Sequence, residues 1–191
     1  MNRKKTYSLV ITGMLLAVGM ILPFITGNIQ AIAKIISPLH IPVLICGLCC
    51  GPWWGMGLGI VLPLLRGLIV GIPVMPTSAL PMAFELGAYG LLTGLLYPLM
   101  LKIIKNKNHL PAMLCALIPA MILGRFVGGA AKALMISAGI IGSKSPFTFA
   151  AFFTSYFVST ALGAVIHIVL VPLVVLALEK AKLSPLTGEI R

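Results

Sequence analysis

Long apolar stretches, separated by only short polar segments, are the feature of this sequence that most restricts its fold. Several of them reach about 20 residues, the length that an α-helix needs to cross a lipid bilayer. Hydrophobic residues make up 60% of the chain and charged residues only 9%, whereas soluble domains are about half apolar and a quarter charged. The sequence therefore predicts an all-α integral membrane protein in which residues 1–191 form a single transmembrane domain.

The succession of apolar runs predicts six transmembrane helices. Their expected bounds, in chain order, are 7–25, 40–50, 54–71, 82–104, 110–137 and 147–178. The second helix is short unless it begins within the loop before it, and Pro172 is the expected point of a break in the sixth. The loops 26–39, 72–81 and 139–146 are rich in proline, glycine and polar residues, which suggests a binding site that opens on their side of the membrane.

Basic residues are concentrated in three short polar segments. Nine of the fourteen lysines and arginines lie there: Arg3, Lys4, Lys5, Lys102, Lys105, Lys107, Lys180, Lys182 and Arg191. Six helices bring both termini and the loop after the fourth helix to one side, and an excess of basic residues marks the cytoplasmic side. We therefore predict cytoplasmic termini. Because the positive charge follows membrane topology, it does not predict a nucleic-acid partner.

A second group of ionisable residues lies within the apolar segments, where charge is costly and usually marks a functional site or an internal pair. Its members are expected in the outer half of the bilayer: His40, Arg66, Glu85, Arg125 and Lys132. One interpretation is a structural pair between Arg66 and Glu85. The other is a net-positive cavity that opens outward and binds an anionic group such as a carboxylate. We expect these five residues, with Asn28 and Tyr89, to contact the ligand.

The sequence contains no pattern that predicts catalysis, a cofactor or a bound metal. It lacks the G-x-S-x-G, H-E-x-x-H and Walker motifs, and it has no aspartate. The four cysteines lie in apolar runs without histidines at zinc-site spacing, so we interpret them as packing residues. We therefore expect a transport or binding function rather than an enzyme.

The segments PLHIPVLICGLCCGPWWGMGLGIVLPLLRG and PTSALPMAFELGAYGLLTGLLY, with GMLLA in the first helix, resemble the S components of energy-coupling factor (ECF) transporters. This resemblance implies a six-helix subunit in a bacterial cell membrane that binds a water-soluble vitamin near its outer face. It also implies a transmembrane coupling subunit and two cytoplasmic ATPases as partners, with ATP-driven toppling of the S component as the transport step.

The resemblance also suggests a partner contact and a set of ligands. The family's Ala-x-x-x-Ala motif packs on the coupling subunit, and Gly13 and Ala17 occupy its two positions here. The metal-binding branch is disfavoured because the N-terminus, MNRKKTYS, has no histidine. Arg66, Arg125 and Lys132 favour a carboxylate-bearing vitamin, with pantothenate first and lipoate or folate as alternatives. A pore or a small carrier without ATPase partners also stays open.

Overall fold

The structure, a computed structural model, describes residues 3–25, 37–104, 109–142 and 148–181. These residues form helices and turns, and no β-strand occurs among them. The elements, in chain order, are α1 (Arg3–Ile25), α2 (His40–Cys50), α3 (Pro52–Val70), α4 (Ala79–Ile104), α5 (Leu110–Ser137), α6 (Phe149–Phe153), a π-helical segment (Thr154–Val158) and α7 (Ala161–Lys180). The predicted all-α class is confirmed.

Five helical stretches are long and apolar enough to cross a membrane. They are α1, α3, α4, α5 and the continuous stretch Phe149–Lys180. Helix α2 has 11 residues, which span about 16 Å of an apolar layer of about 30 Å. Residues 26–36, where this helix was expected to begin if it spans the bilayer, lie outside the described residues. The sixth span therefore stays a prediction.

Helix α2 lies at the centre of the bundle. Ten of its eleven residues are buried, and Val43, Leu44 and Leu48 have no exposed surface. Leucines and methionines of α3, α4 and α5 complete the apolar core around it. By contrast, α1 exposes one whole face of large apolar side chains, as expected for a helix that borders lipid.

Glycines allow α3, α4 and α5 to approach closely, as their four-residue spacing predicts. A Cβ atom on Gly90 would overlap the backbone of Gly55, and one on Gly59 would overlap the backbone of Leu86. On α5, a Cβ atom on Gly128 would lie 2.7 Å from the Cβ of Glu85. Helix α4 therefore packs directly against the glycines of α3 and α5, and a side chain at these positions would overlap it.

The break in the last helix lies earlier than the sequence suggests. Pro172 is inside α7, so its prediction as the break is wrong. The interruption is the π-helical segment Thr154–Val158, which contains neither glycine nor proline. Hydroxyl groups stabilise it, because Ser159 Oγ donates to the Thr154 carbonyl at 2.9 Å and Thr160 Oγ1 donates to the Tyr156 carbonyl at 2.6 Å. Such side-chain bonds satisfy carbonyls that irregular helical segments release.

A polar cluster joins three helices at the end of the bundle that carries the basic residues. Glu179, near the end of α7, accepts a 2.8 Å hydrogen bond from the Tyr97 hydroxyl of α4. Its other oxygen lies 2.9 Å from Nδ1 of His109, which precedes α5. Because α1 starts and α4 and α7 finish at this end, Lys4, Lys102 and Lys180 lie here too. We call it the basic end.

Candidate functional site

A cavity of about 480 Å³ opens at the end of the bundle opposite the basic end. It is bounded by the last turns of α1 and α3, the first turns of α2 and α4, the loop between α3 and α4, the second half of α5, and the residues around the start of α7. Its volume is within the range of about 300–1,000 Å³ that is typical of small-molecule sites.

Five residues predicted from the sequence to form a ligand site line this one cavity. They are His40, Arg66, Glu85, Arg125 and Lys132. They come from α2, α3, α4 and α5 and meet because successive helices run in opposite directions. Asn28 lies outside the described residues.

Tyr89, which was also predicted to contact the ligand, is buried on α4. It is 1% exposed and is not among the described residues that line the cavity. Its hydroxyl donates a 2.8 Å hydrogen bond to Oε1 of Glu85, one turn earlier on α4. Its ring lies against Gly124 of α5, and its predicted contact with the ligand stays a prediction.

Arg66 projects from the last turns of α3 and is 1% exposed. Its Nη1 donates a 2.7 Å hydrogen bond to the Met20 carbonyl of α1, and its guanidinium lies 5.1 Å from the centre of the Phe24 ring. Among the described residues, the polar side chains nearest the Glu85 carboxylate are those of His40 and Tyr89, and the predicted structural pair with Arg66 is not found there. Arg66 therefore joins the cavity to α1.

Arg125 lies on the other side of the cavity, between α5 and the start of α7. Its Nη2 lies 3.4 Å from the Thr160 carbonyl, and its guanidinium lies 5.4 Å from the centre of the Phe157 ring. It also interacts electrostatically with the Tyr89 hydroxyl, as Glu85 does. A hydrogen bond of 3.4 Å is at the weak limit for N–H···O geometry, so the guanidinium keeps most of its five donors for other partners.

Two histidines form the inner part of the cavity wall. The rings of His40 and His167 are stacked, with centres 5.4 Å apart and planes inclined by 15°. His40 Nε2 also lies 3.8 Å from Oε1 of Glu85. His167 was not predicted as a site residue, because a single histidine in the apolar run of α7 gives no spacing signal. The only sequence signal for it was its position near the middle of the last helix, because an ionisable residue at membrane depth often marks a functional site.

The cavity has a positive net charge and a mixed polar surface. Among its described residues are three cations and one carboxylate, so the net charge is +2 with both histidines neutral. Hydroxyl groups from the loop before α4 and from the residues before α7 also line it: Thr77, Ser78, Ser155, Tyr156, Ser159 and Thr160. No group of three or more metal-ligating side chains occurs in the described ranges. Such an arrangement suits the binding of a small anionic molecule.

Gly13 and Ala17, the predicted contacts with a coupling subunit, lie on the exposed face of α1. A Cβ atom on Gly13 would meet nothing within 4 Å. Gly13 also borders an apolar groove between α1 and α3, whose outer edge is formed by Trp53, 72% exposed. This surface is nearer the basic end than the cavity, so the two features are separated along the bundle.

A family model described as "ECF transporter, substrate-specific component" matches residues 7–175, a range that includes every cavity residue described above and all or most of each helix. None of the curated proteins and none of the solved structures matches the chain.

Proposed function

The chain belongs to the substrate-specific components of ECF transporters, and from this membership we propose that it captures a carboxylate-bearing, water-soluble vitamin from outside the cell. Members of this family are membrane-embedded binders of a transport substrate, so the protein is not an enzyme. The proposal covers three points: which vitamin binds, which side of the membrane the cavity faces, and which partners the protein has.

The observation that carries the proposal is the excess of cations in the cavity. Arg66, Arg125 and Lys132 line it together with one carboxylate, that of Glu85. Cations at this depth are costly in an apolar bundle, and an anionic ligand would offset that cost. Guanidinium groups suit a carboxylate in particular, because their planar donors match its two oxygens.

Pantothenate is the first candidate within this class, with lipoate and folate as alternatives. A cavity of about 480 Å³ suits a vitamin with a short chain or a small ring system better than a corrinoid. Pantothenate combines a carboxylate with hydroxyl and amide groups, and these match the hydroxyl-rich lining beside Ser155 and Thr160.

The proposed orientation places the basic end in the cytoplasm of a bacterial cell and the cavity on the outer side of the plasma membrane. Lys4, Lys5, Lys102 and Lys180 support it, because basic residues favour the cytoplasmic side. In this orientation the vitamin enters from outside and the partners bind from the cytoplasm.

The proposed partners are a transmembrane coupling subunit and two cytoplasmic ATPases, which would topple the protein to release the vitamin inside. Small residues on an exposed helix face let another helix approach closely. Gly13 and Ala17 provide such a face on α1, beside the groove that Trp53 borders.

Uptake in proteoliposomes tests this function. The chain is reconstituted alone, or with a coupling subunit and two ATPases, and uptake of labelled pantothenate, lipoate and folate is measured with and without ATP. We expect uptake of a carboxylate vitamin only from the complete assembly and only with ATP. Equal uptake by the chain alone, without ATP, would instead identify a pore or an independent carrier.

A further inference from the structure

Glu85 has one carboxylate oxygen engaged and the other available. Its Oε1 accepts the 2.8 Å hydrogen bond from Tyr89 and is also the oxygen nearest to His40, at 3.8 Å. Among the residues that the structure describes, none donates a hydrogen bond to Oε2. The side chain is 12% exposed and lines the cavity. Oε2 of Glu85 is therefore an available hydrogen-bond acceptor on a carboxylate that lines the cavity.

The second oxygen of Glu85 lies close to α5. The facing residue of α5 is Gly128, and a Cβ atom there would lie only 3.2 Å from Oε2. A carboxylate accepts several hydrogen bonds, and a largely buried one is costly when these are incomplete. A ligand that brings a hydrogen-bond donor into the cavity would complete them.

A cation, Arg125, lines the same cavity as this acceptor. The Arg125 guanidinium and the Glu85 carboxylate both interact electrostatically with the hydroxyl of Tyr89, so both charges lie near one buried phenol. The described hydrogen bond of Arg125 is the long one to Thr160. The cavity therefore offers two kinds of polar contact. The guanidinium of Arg125 can donate hydrogen bonds to an anionic group of the ligand, and the carboxylate of Glu85 can accept one from a neutral group of the ligand.

We propose that Glu85 determines specificity, and that the substrate carries a hydrogen-bond donor, such as a hydroxyl, amide or ureido group, in addition to its carboxylate. This inference rests on the proposed function and narrows it. It favours pantothenate and biotin and disfavours lipoate, whose dithiolane ring has no donor. Biotin and lipoate make a useful pair, because each carries a valerate chain on a sulfur-containing ring.

Equilibrium binding of pantothenate, biotin and lipoate to the purified protein in nanodiscs tests this inference. For the wild type we expect pantothenate or biotin to bind at least about ten-fold more tightly than lipoate, since hydrogen bonds to charged groups contribute about that much. In Glu85→Gln, which keeps the side-chain shape and an oxygen for Tyr89, we expect this ratio to fall by about ten-fold. All three ligands are measured on the same sample, so a loss of folded protein does not change the ratio of their affinities.

Glu179→Gln is the matched control, because it neutralises a carboxylate at the basic end, away from the cavity, and should leave the ratio unchanged. Lipoate binding as tightly as the better of the other two, or an equal loss of all three in Glu85→Gln, would overturn the inference and leave the proposed function intact. Failure of the wild type to bind any carboxylate vitamin would overturn both.

Discussion

The Nη1 atom of Arg66 donates a 2.7 Å hydrogen bond to the carbonyl of Met20, and so joins α3 to the last turns of α1 at the rim of the cavity. Phe24, one turn further along α1, lies against the same guanidinium. Arg66 also lines the cavity. One side chain is therefore shared between the space proposed for the ligand and the helix that carries Gly13 and Ala17.

Replacing Arg66 by alanine should lower both stability and ligand affinity. The variant loses a hydrogen bond from a charged donor and a contact with Phe24, so we expect the free energy of unfolding to fall by about 1–3 kcal/mol. Thermal unfolding in detergent measures this change. Leu68→Ala is the control on the same helix, because that side chain is exposed and takes no part in the contacts with Met20 and Phe24. Equal melting temperatures for the two variants would show that the bond to Met20 contributes little.

Replacing Arg125 by alanine should weaken ligand binding more than it affects folding. The described contacts of this residue with the protein are one long hydrogen bond, one aromatic ring and an electrostatic interaction with the Tyr89 hydroxyl. A carboxylate ligand would accept charge-assisted hydrogen bonds from it. We expect a loss of about 1–3 kcal/mol in binding free energy, measured by isothermal titration calorimetry.

Two further variants define the role of Arg125. Arg125→Lys should show an intermediate affinity, because lysine keeps the charge without the planar donor pair. Lys102→Ala, exposed near the basic end, should bind as the wild type does. Unchanged affinity in Arg125→Ala would remove this residue from the ligand site.

Gly90→Ala should destabilise the bundle, whereas Gly57→Ala should not. A Cβ atom on Gly90 would overlap the Gly55 backbone, and one on Gly57 would meet nothing within 4 Å. Overpacking of this kind costs about 1–3 kcal/mol, while alanine in an open helical position is neutral or stabilising by up to about 1 kcal/mol. Thermal unfolding of both variants provides the comparison. A Gly90→Ala variant as stable as Gly57→Ala would contradict the close contact of α3 with α4.

Glu179→Ala should destabilise the basic end of the bundle. Tyr97 is fully buried, and its hydroxyl would lose the acceptor that it uses. An unsatisfied buried donor costs about 1–3 kcal/mol, so we expect a lower melting temperature. Glu179→Gln keeps an oxygen for Tyr97 and should retain most of the stability. Equal losses in the two variants would indicate that the charge, rather than the hydrogen bond, is what stabilises this cluster.

Much of the architecture was predictable because the signals are local. The bounds predicted for the second and fifth helices agree with those of α2 and α5, since glycine, proline and polar residues flank these apolar runs. The convergence of Arg66, Glu85 and Arg125 on one cavity followed from helix direction and depth alone.

Other features depend on packing that a linear pattern does not contain. Tyr89 is four residues from Glu85 and shares its helix face, but it lies one turn deeper, where the absence of a side chain on Gly124 leaves space for its ring. The π-helical segment has no sequence breaker, and its backbone is stabilised by two hydroxyl groups that follow it. His167 stacks on His40, a contact between α7 and α2 that no spacing in the sequence predicts.

The central claim is that the cavity selects a carboxylate vitamin by its charge. The most direct test compares the equilibrium binding of pantothenate, biotin, folate and lipoate with that of their neutral carboxamides, using the purified protein in nanodiscs. We expect at least one carboxylate to bind with one-to-one stoichiometry, and its carboxamide to bind more weakly by about ten-fold or more. Equal affinity for a vitamin and its carboxamide, or binding of uncharged vitamins only, would contradict it.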